Sequence, residues 1–105
     1  MKIQIQTLHF DADKKLVDFI SKKMNKLETF YDRVLGSDVI LSMEQMNTHV
    51  KGKVVTIKAH IPGTVLIAKE KSKKFEEAVD MATESIRKQM QRMKTRKKLD
   101  FDEYD

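Results

Sequence analysis

The chain contains no cysteine and no tryptophan, and it has only three glycines and one proline in 105 residues. Without cysteine it cannot form disulfides, thiolate nucleophiles or metal sites with cysteine ligands, and this composition fits a reducing compartment. The three glycines are scattered, so the chain has no glycine-rich loop that could cradle a phosphate.

Long apolar runs are also absent. No stretch approaches the ~18 apolar residues that a membrane-spanning helix needs, and the N-terminus begins with a strand pattern instead of a signal peptide. We therefore expect a soluble, cytoplasmic protein with no membrane partner. The length predicts one domain over residues 1–98, followed by a short acidic and mobile tail over residues 99–105.

Residues that could support catalysis are sparse. His9, His49 and His60 are far apart and lack metal-ligand spacing, and none of the serines lies in a GxSxG or SxxK setting. The sequence thus predicts no catalytic residue, no metal, no cofactor and no small-molecule substrate, and the protein is not expected to be an enzyme.

The apolar pattern alternates between two periods. KIQIQTL at the N-terminus alternates as a half-buried strand does, and residues 12–31 carry apolar side chains at helical spacing, with Asp11 or Asp13 as the N-cap. DVILSMEQM, KVVTIKAHI and TVLIAKE are predicted strands; in the last, Val65 and Ile67 are expected to face inward. The helical period returns from about Lys73 to Lys97.

This order predicts an α+β fold, β-α-β-β-β-α, with a four-stranded mixed sheet. Because each strand shows one apolar face, both helices are expected to pack on the same face of the sheet and to leave the other face in water.

Charge is the informative part of the sequence, which carries 21 basic and 16 acidic residues. Lysines spaced by seven and four residues form a row on the first helix, and basic residues spaced by four form a row on the second. The first row is Lys15, Lys22 and Lys26, with Lys14 and Lys23 beside it and Arg33 beyond the helix; the second is Lys88, Arg92 and Arg96, widened by Arg87, Lys94, Lys97 and Lys98. We expect the two rows to meet in one basic surface.

A polyanion explains this pattern better than folding does. Seven cations between Arg87 and Lys98, with no acid among them, would mainly repel one another in the free protein. The chain has no helix-turn-helix, zinc-finger or basic-zipper pattern for duplex DNA, whereas basic helix surfaces suit the phosphates of structured RNA. We therefore predict RNA binding that weakens steeply with salt.

The last six residues include four acids, Asp100, Asp102, Glu103 and Asp105. They are predicted either to trail in solvent or to fold back over residues 96–98 in the free protein. Screened pairs of this kind contribute at most about 1 kcal/mol each, so the tail can tune RNA affinity but cannot abolish it.

Two stretches carry a family resemblance. KLETFYDRV, residues 26–34, resembles the helix-end signature of the ribosome hibernation-promoting factors and ribosome-associated inhibitors, formerly labelled sigma-54 modulation proteins. FEEAVDMATESIRKQMQRMK resembles their second helix through Phe75, the Ala78-Val79-Asp80 motif and the basic run from Lys88 to Lys94. The element order agrees over about residues 1–98, and no second, dimerisation domain follows, so the chain resembles a short member.

The resemblance implies a fold similar to double-stranded-RNA-binding domains and a function in ribosome hibernation. Members bind the small ribosomal subunit and 16S rRNA in the mRNA channel, across the A and P tRNA sites, and block translation during starvation or stationary phase. 70S ribosomes and dimerised ribosomes are further implied partners. The implied RNA-binding residues are Lys22, Lys23, Lys26, Arg33, Lys88, Arg92 and Lys94, extended by Arg96 and Lys97.

Two departures and two alternatives accompany this interpretation. Thr7-Leu8 stands where the family often has a glycine, and Lys73-Lys74 stands where it often has an acid, which increases the basic surface. The alternatives are a structured-RNA-binding module without ribosome specificity, and a self-associating domain in which the acidic tail of one copy meets the basic helix of another.

Overall fold

The computed structural model describes the backbone of residues 2–8, 10–31, 33–45 and 51–104, and the side chains of these residues except 51 and 95–104. The elements follow the predicted order: β1 Lys2–Thr7, α1 Lys14–Leu27, β2 Gly36–Gln45, β3 Lys51–Ile61, β4 Thr64–Ser72 and α2 Phe75–Tyr104. His9 and His49 lie outside the described residues.

The four strands form one sheet in the order β1-β2-β3-β4. β1 pairs with β2 in parallel, and the two remaining pairs are antiparallel, so the predicted mixed sheet is confirmed. One row of paired residues crosses the whole sheet from Ile5 through Val39 and Ile57 to Ala68. This register places apolar side chains from each of the four strands on the same face.

The core lies between that face and the two helices. Ile20 and Met24 of α1 and Ile86 and Met90 of α2 are almost completely buried, together with Ile57 of the central strand β3. Their spacing of four along each helix brings them to one stripe, as an amphipathic helix on a sheet requires. The prediction that both helices cover the same face is confirmed.

Local hydrogen bonds fix the ends of α1. Asp13 is the N-cap, because its Oδ1 accepts a bond from the backbone N–H of Leu16 at 2.8 Å. Past the last helical residue, the Thr29 hydroxyl donates to the carbonyl of Lys26 at 2.7 Å. The helix therefore ends at Leu27, and Tyr31, predicted to be helical, is buried from the connection that follows.

β4 corrects one prediction. Leu66 and Ala68 face the core with 8% and 6% exposure, whereas Val65 and Ile67 lie on the open face with 40% and 53% exposure. Because four consecutive residues of β4 are apolar, the sequence does not indicate which face of the strand is buried. The pairing of Leu66 with the buried Ala59 determines the buried face.

The backbone of α2 continues to Tyr104, beyond the predicted end near Lys97. No glycine or proline interrupts this stretch, so nothing in the sequence stops the helical backbone. The mobility of residues 99–105 stays a prediction. Across the described residues, no helix has the combination of length and apolar character that a membrane crossing requires.

Candidate nucleic-acid interface

α1 and α2 lie side by side, and a groove of about 460 Å³ separates their outer surfaces. Lys23 contacts Asp80, and Phe30 contacts Arg87. Each residue of the second contact follows its counterpart in the first by seven positions, so the two segments run in the same direction on the two sides of the groove. The groove is also lined by one positive, one apolar, one polar and one acidic side chain: Lys26, Leu27, Thr83 and Glu84.

Lys23 is held by an acid inside this groove. Its Nζ lies 2.8 Å from Asp80 Oδ1, and it also lies 5.5 Å from the centre of the Phe19 ring. Asp80 belongs to the Ala-Val-Asp motif, so the structure gives that motif a local role: its carboxylate connects α2 to the basic row of α1.

Arg87 is fixed more firmly than Lys23. Its guanidinium donates two hydrogen bonds to Glu84, at 2.9 and 2.6 Å, and one to Gln91 Oε1 at 3.1 Å. It also lies 5.7 Å from the centre of the Phe30 ring. The hydrogen bond from Arg87 lowers the pKa of Glu84, and the same bond raises the pKa of Arg87. Both groups therefore stay charged and paired near neutral pH.

Lys88 and Arg92 lie on the other flank of α2. They line a second groove, of about 630 Å³, between α2 and β4 together with Glu70, Ser85 and Gln89. The two predicted basic rows therefore do not meet in one groove: Arg87 faces α1, and Lys88 and Arg92 face β4. On a helix these successive residues are 100° apart, so a run of cations is divided between two flanks.

The other predicted site residues are placed as follows. Lys22, Lys26, Arg33 and Lys94 are exposed, with Arg33 in the connection between α1 and β2. Among the described residues, none of these four forms an ion pair, and neither does Lys88 or Arg92. Arg96 and Lys97 belong to the backbone of α2, but their side chains are outside the described set.

Sequence reasoning missed the acids that pair with the cations of the groove. Glu84 and Arg87 are three residues apart on a helix, a spacing at which opposite charges pair, so this contact could have been predicted. The Lys23–Asp80 pair joins residues of two helices, so the spacing of residues along the sequence does not predict it.

The open face of the sheet holds its own charged groups. His60 Nε2 lies 2.9 Å from Asp38 Oδ2. Glu44 forms ion pairs with Lys69 and Lys71, at 3.3 and 3.2 Å. Hydrogen bonds from the two lysines lower the pKa of Glu44. In the part of the chain that the structure describes, no three histidine or acidic side chains are close enough to hold a metal ion.

Comparison with known proteins agrees with this architecture. A family model described as sigma 54 modulation protein / S30EA ribosomal protein matches residues 3–98, which confirms the predicted resemblance. The structure of a ribosomal subunit interface protein from Coxiella burnetii superposes with a TM-score of 0.80 at 20% identity, covering 90% of this chain and 99% of that one. At that identity the likeness shows the shared fold.

Two curated relatives are similarly distant in sequence. The ribosome hibernation promoting factor of Azotobacter vinelandii is 21% identical over 90 residues, which cover 86% of this chain and 79% of the relative. The ribosome hibernation promotion factor of Deinococcus radiodurans is 19% identical over 93 residues, covering 89% of this chain. The matched part is 49% of that relative, so the chain spans about half of its length.

Proposed function

The chain belongs to the sigma 54 modulation protein / S30EA ribosomal protein family, and from that membership we propose that it binds the ribosome as a hibernation factor. The family consists of non-enzymatic factors, as predicted for a chain without a catalytic constellation. In the proposed function the protein blocks translation and preserves idle ribosomes during starvation or stationary phase. The names of the curated relatives and of the Coxiella burnetii protein support this proposal.

One observation carries the proposed mode of binding: exposed cations without a described ion-pair partner are concentrated on the helices. Lys22 and Lys26 on α1, and Lys88, Arg92 and Lys94 on α2, all have this property. The open sheet face differs, because Lys69 and Lys71 share Glu44 there. A cation whose charge is not already used inside the protein is the one that gains most from a phosphate.

We place the contact on the small ribosomal subunit, with 16S rRNA as the partner of these cations. Arg33 and the basic extension at Arg96 and Lys97 would lengthen the contact, and Lys23 would join it by exchanging Asp80 for a phosphate. Binding along the mRNA channel and across the A and P tRNA sites would exclude mRNA and tRNA by occupying their volume. Association with 70S and with dimerised ribosomes is part of the same proposal.

Co-sedimentation with ribosomes through a sucrose gradient tests the proposal. The wild-type protein is expected to migrate with 30S and 70S particles at low salt, and a variant with Lys88, Arg92 and Lys94 changed to alanine is expected to stay at the top. Loss of three phosphate contacts should also reduce the slope of log affinity against log salt by about three.

The matched control removes the same charge from the opposite face, with Lys2, Lys58 and Lys69 changed to alanine. If binding followed net charge alone, this control would fail to co-sediment as well, and the proposed interface would be wrong. Free duplex RNA that competes as effectively as ribosomes would instead favour a general structured-RNA-binding module.

A further inference from the structure

β4 is an edge strand with an open backbone. It is the last strand of the sheet, so one of its sides has no neighbouring strand. The amide Nε2 of Gln89 donates to the carbonyl oxygen of Ile67 at 3.0 Å, which shows that this carbonyl faces away from β3. Because backbone groups of alternate residues in an antiparallel strand point to the same side, those of Val65, Lys69 and Lys71 also face outward.

A groove accompanies this edge on the helix side. The cavity lined by Lys88 adjoins a smaller one of about 210 Å³, and the two share Gln89 and Arg92. Apolar side chains of Leu66, Met81 and Met93 line these two adjoining cavities beside the two cations. Two acids also line the larger cavity: Glu84 is already paired with Arg87, and Glu70 remains.

The other side of the same edge has a similar character. Val65 and Ile67 are the exposed apolar side chains of β4 on the open face. Lys69 and Lys71 follow on the same face and share a single carboxylate, Glu44. A strand added beside β4 would therefore meet apolar and positively charged side chains on both of its faces.

We propose that the β4 edge binds an acidic, extended peptide segment of another protein as a fifth strand. Its backbone would pair with the outward groups of β4, as in other cases of strand addition, and would displace the Gln89 amide from the carbonyl of Ile67. Alternate side chains would be acidic, toward Lys88 and Arg92, and apolar, toward Val65 and Ile67. The proposal goes beyond ribosome binding: it shares Lys88 and Arg92 with the ribosome proposal, but β4 is used by the peptide alone.

The chemistry of the edge favours a peptide over the other occupants. The outward edge presents alternating N–H donors and carbonyl acceptors beside exposed Val65 and Ile67. This pattern matches the main chain of an extended peptide better than RNA phosphates, which accept hydrogen bonds but do not donate them, although Lys88 and Arg92 alone would attract phosphates. A second copy of this chain would bring its own Lys88 and Arg92 against the same pair, and like charges in contact oppose association.

Anisotropy of a fluorescein-labelled peptide, Glu-Val-Glu-Ile-Glu-Val-Glu, titrated with the free protein tests this inference without ribosomes. A peptide of the same composition in blocks, Glu-Glu-Glu-Glu-Val-Val-Ile, is the control for charge alone. We expect the alternating peptide to bind at least about tenfold more tightly. In hydrogen exchange it should protect the outward amides of Val65, Ile67, Lys69 and Lys71.

Ile67→Gln is the matching protein variant, because it removes an exposed apolar side chain of the edge without changing the net charge. We expect it to weaken peptide binding about tenfold or more and to leave ribosome co-sedimentation unchanged. Leu35→Gln, at the most exposed large apolar side chain among the described residues, 68% accessible before β2, is the control. It should leave both activities intact.

Three results would overturn the inference. The block peptide could bind as well as the alternating one, which would mean that charge alone is recognised. Duplex RNA could protect the β4 amides where the peptide does not, which would assign the edge to RNA. The free protein could sediment as a dimer with these amides already protected, which would assign the edge to a second copy.

Discussion

The two flanks of α2 carry similar cations in opposite states. On the flank toward α1, Arg87 is bound by Glu84, and Asp80 binds Lys23 of α1. On the flank toward β4, Lys88 and Arg92 have no ion-pair partner among the described residues. In the first set, the Lys23–Asp80 pair joins the two helices and the Glu84–Arg87 pair lies within α2; the second set is available to a ligand. A count of lysines and arginines does not separate these two roles.

Salt dependence should separate the flanks most clearly. For Lys88→Ala with Arg92→Ala, we expect the slope of log ribosome affinity against log salt to become shallower by about two, because two phosphate contacts are lost. For Lys23→Ala with Arg87→Ala, the change should be less than about one. Equal changes in the two double variants would contradict the division between paired and available cations.

Removing the acid that pairs with a cation should strengthen ribosome binding, which is the opposite of the effect of removing a cation. Asp80→Asn removes the partner of Lys23, so ribosome binding should strengthen and its salt slope should steepen by up to about one. The free energy of unfolding should fall by at most about 1 kcal/mol, since both side chains are substantially exposed. Asp38→Asn removes the same charge from the open sheet face, and an equal gain there would point to net charge instead.

The contact of Arg87 with the Phe30 ring offers a smaller test. Phe30→Leu keeps an apolar side chain at this partly exposed position but removes the aromatic face beneath the guanidinium. We expect the melting temperature to fall by about 2 to 4 °C, with little change in ribosome binding. The same drop in an Arg87→Met background would show that the ring acts through other contacts.

Acid titration should give the smallest effect. Arg87 lowers the pKa of Glu84 from its ordinary value of 4.5, so the carboxylate stabilises the fold above that value and loses this contribution as the pH falls through its lowered pKa. Glu84→Gln should therefore lose less stability than the wild type on going from about pH 5 to about pH 3. Urea unfolding at these two pH values measures the difference; an identical loss in both proteins would exclude the pair as a source of acid sensitivity.

Much of the fold could be predicted because its local signals agree with one another. The alternation in β1 to β3, the helical spacing of residues such as Ile20 and Met24, and the Asp13 cap each point to the same order of elements. β4 was assigned the wrong inward face because Val65 to Ala68 are all apolar. The end of α1 was placed too late because the apolar pattern continues to Tyr31 after the helix has stopped.

The residues of the candidate site stay a prediction, and their arrangement was predicted only in part. Lys88 and Arg92 were correctly expected to share one side of α2, since a spacing of four fixes that locally. Their neighbours could not be known, because the side of α2 that meets α1 depends on how both helices sit on the sheet. For the same reason Asp80, 57 positions from Lys23, was not recognised as its partner.

The sequence by itself determined the order of elements, the buried stripe of each helix and the excess of cations on both helices, because all three follow from the period of side chains along one element. Only the tertiary structure decided which face of β4 is buried, which flank of α2 meets α1 and which cations are already neutralised. These three features depend on contacts between residues that are distant in the sequence. Such contacts match charge and shape between different elements, and the spacing of residues within one element does not predict them.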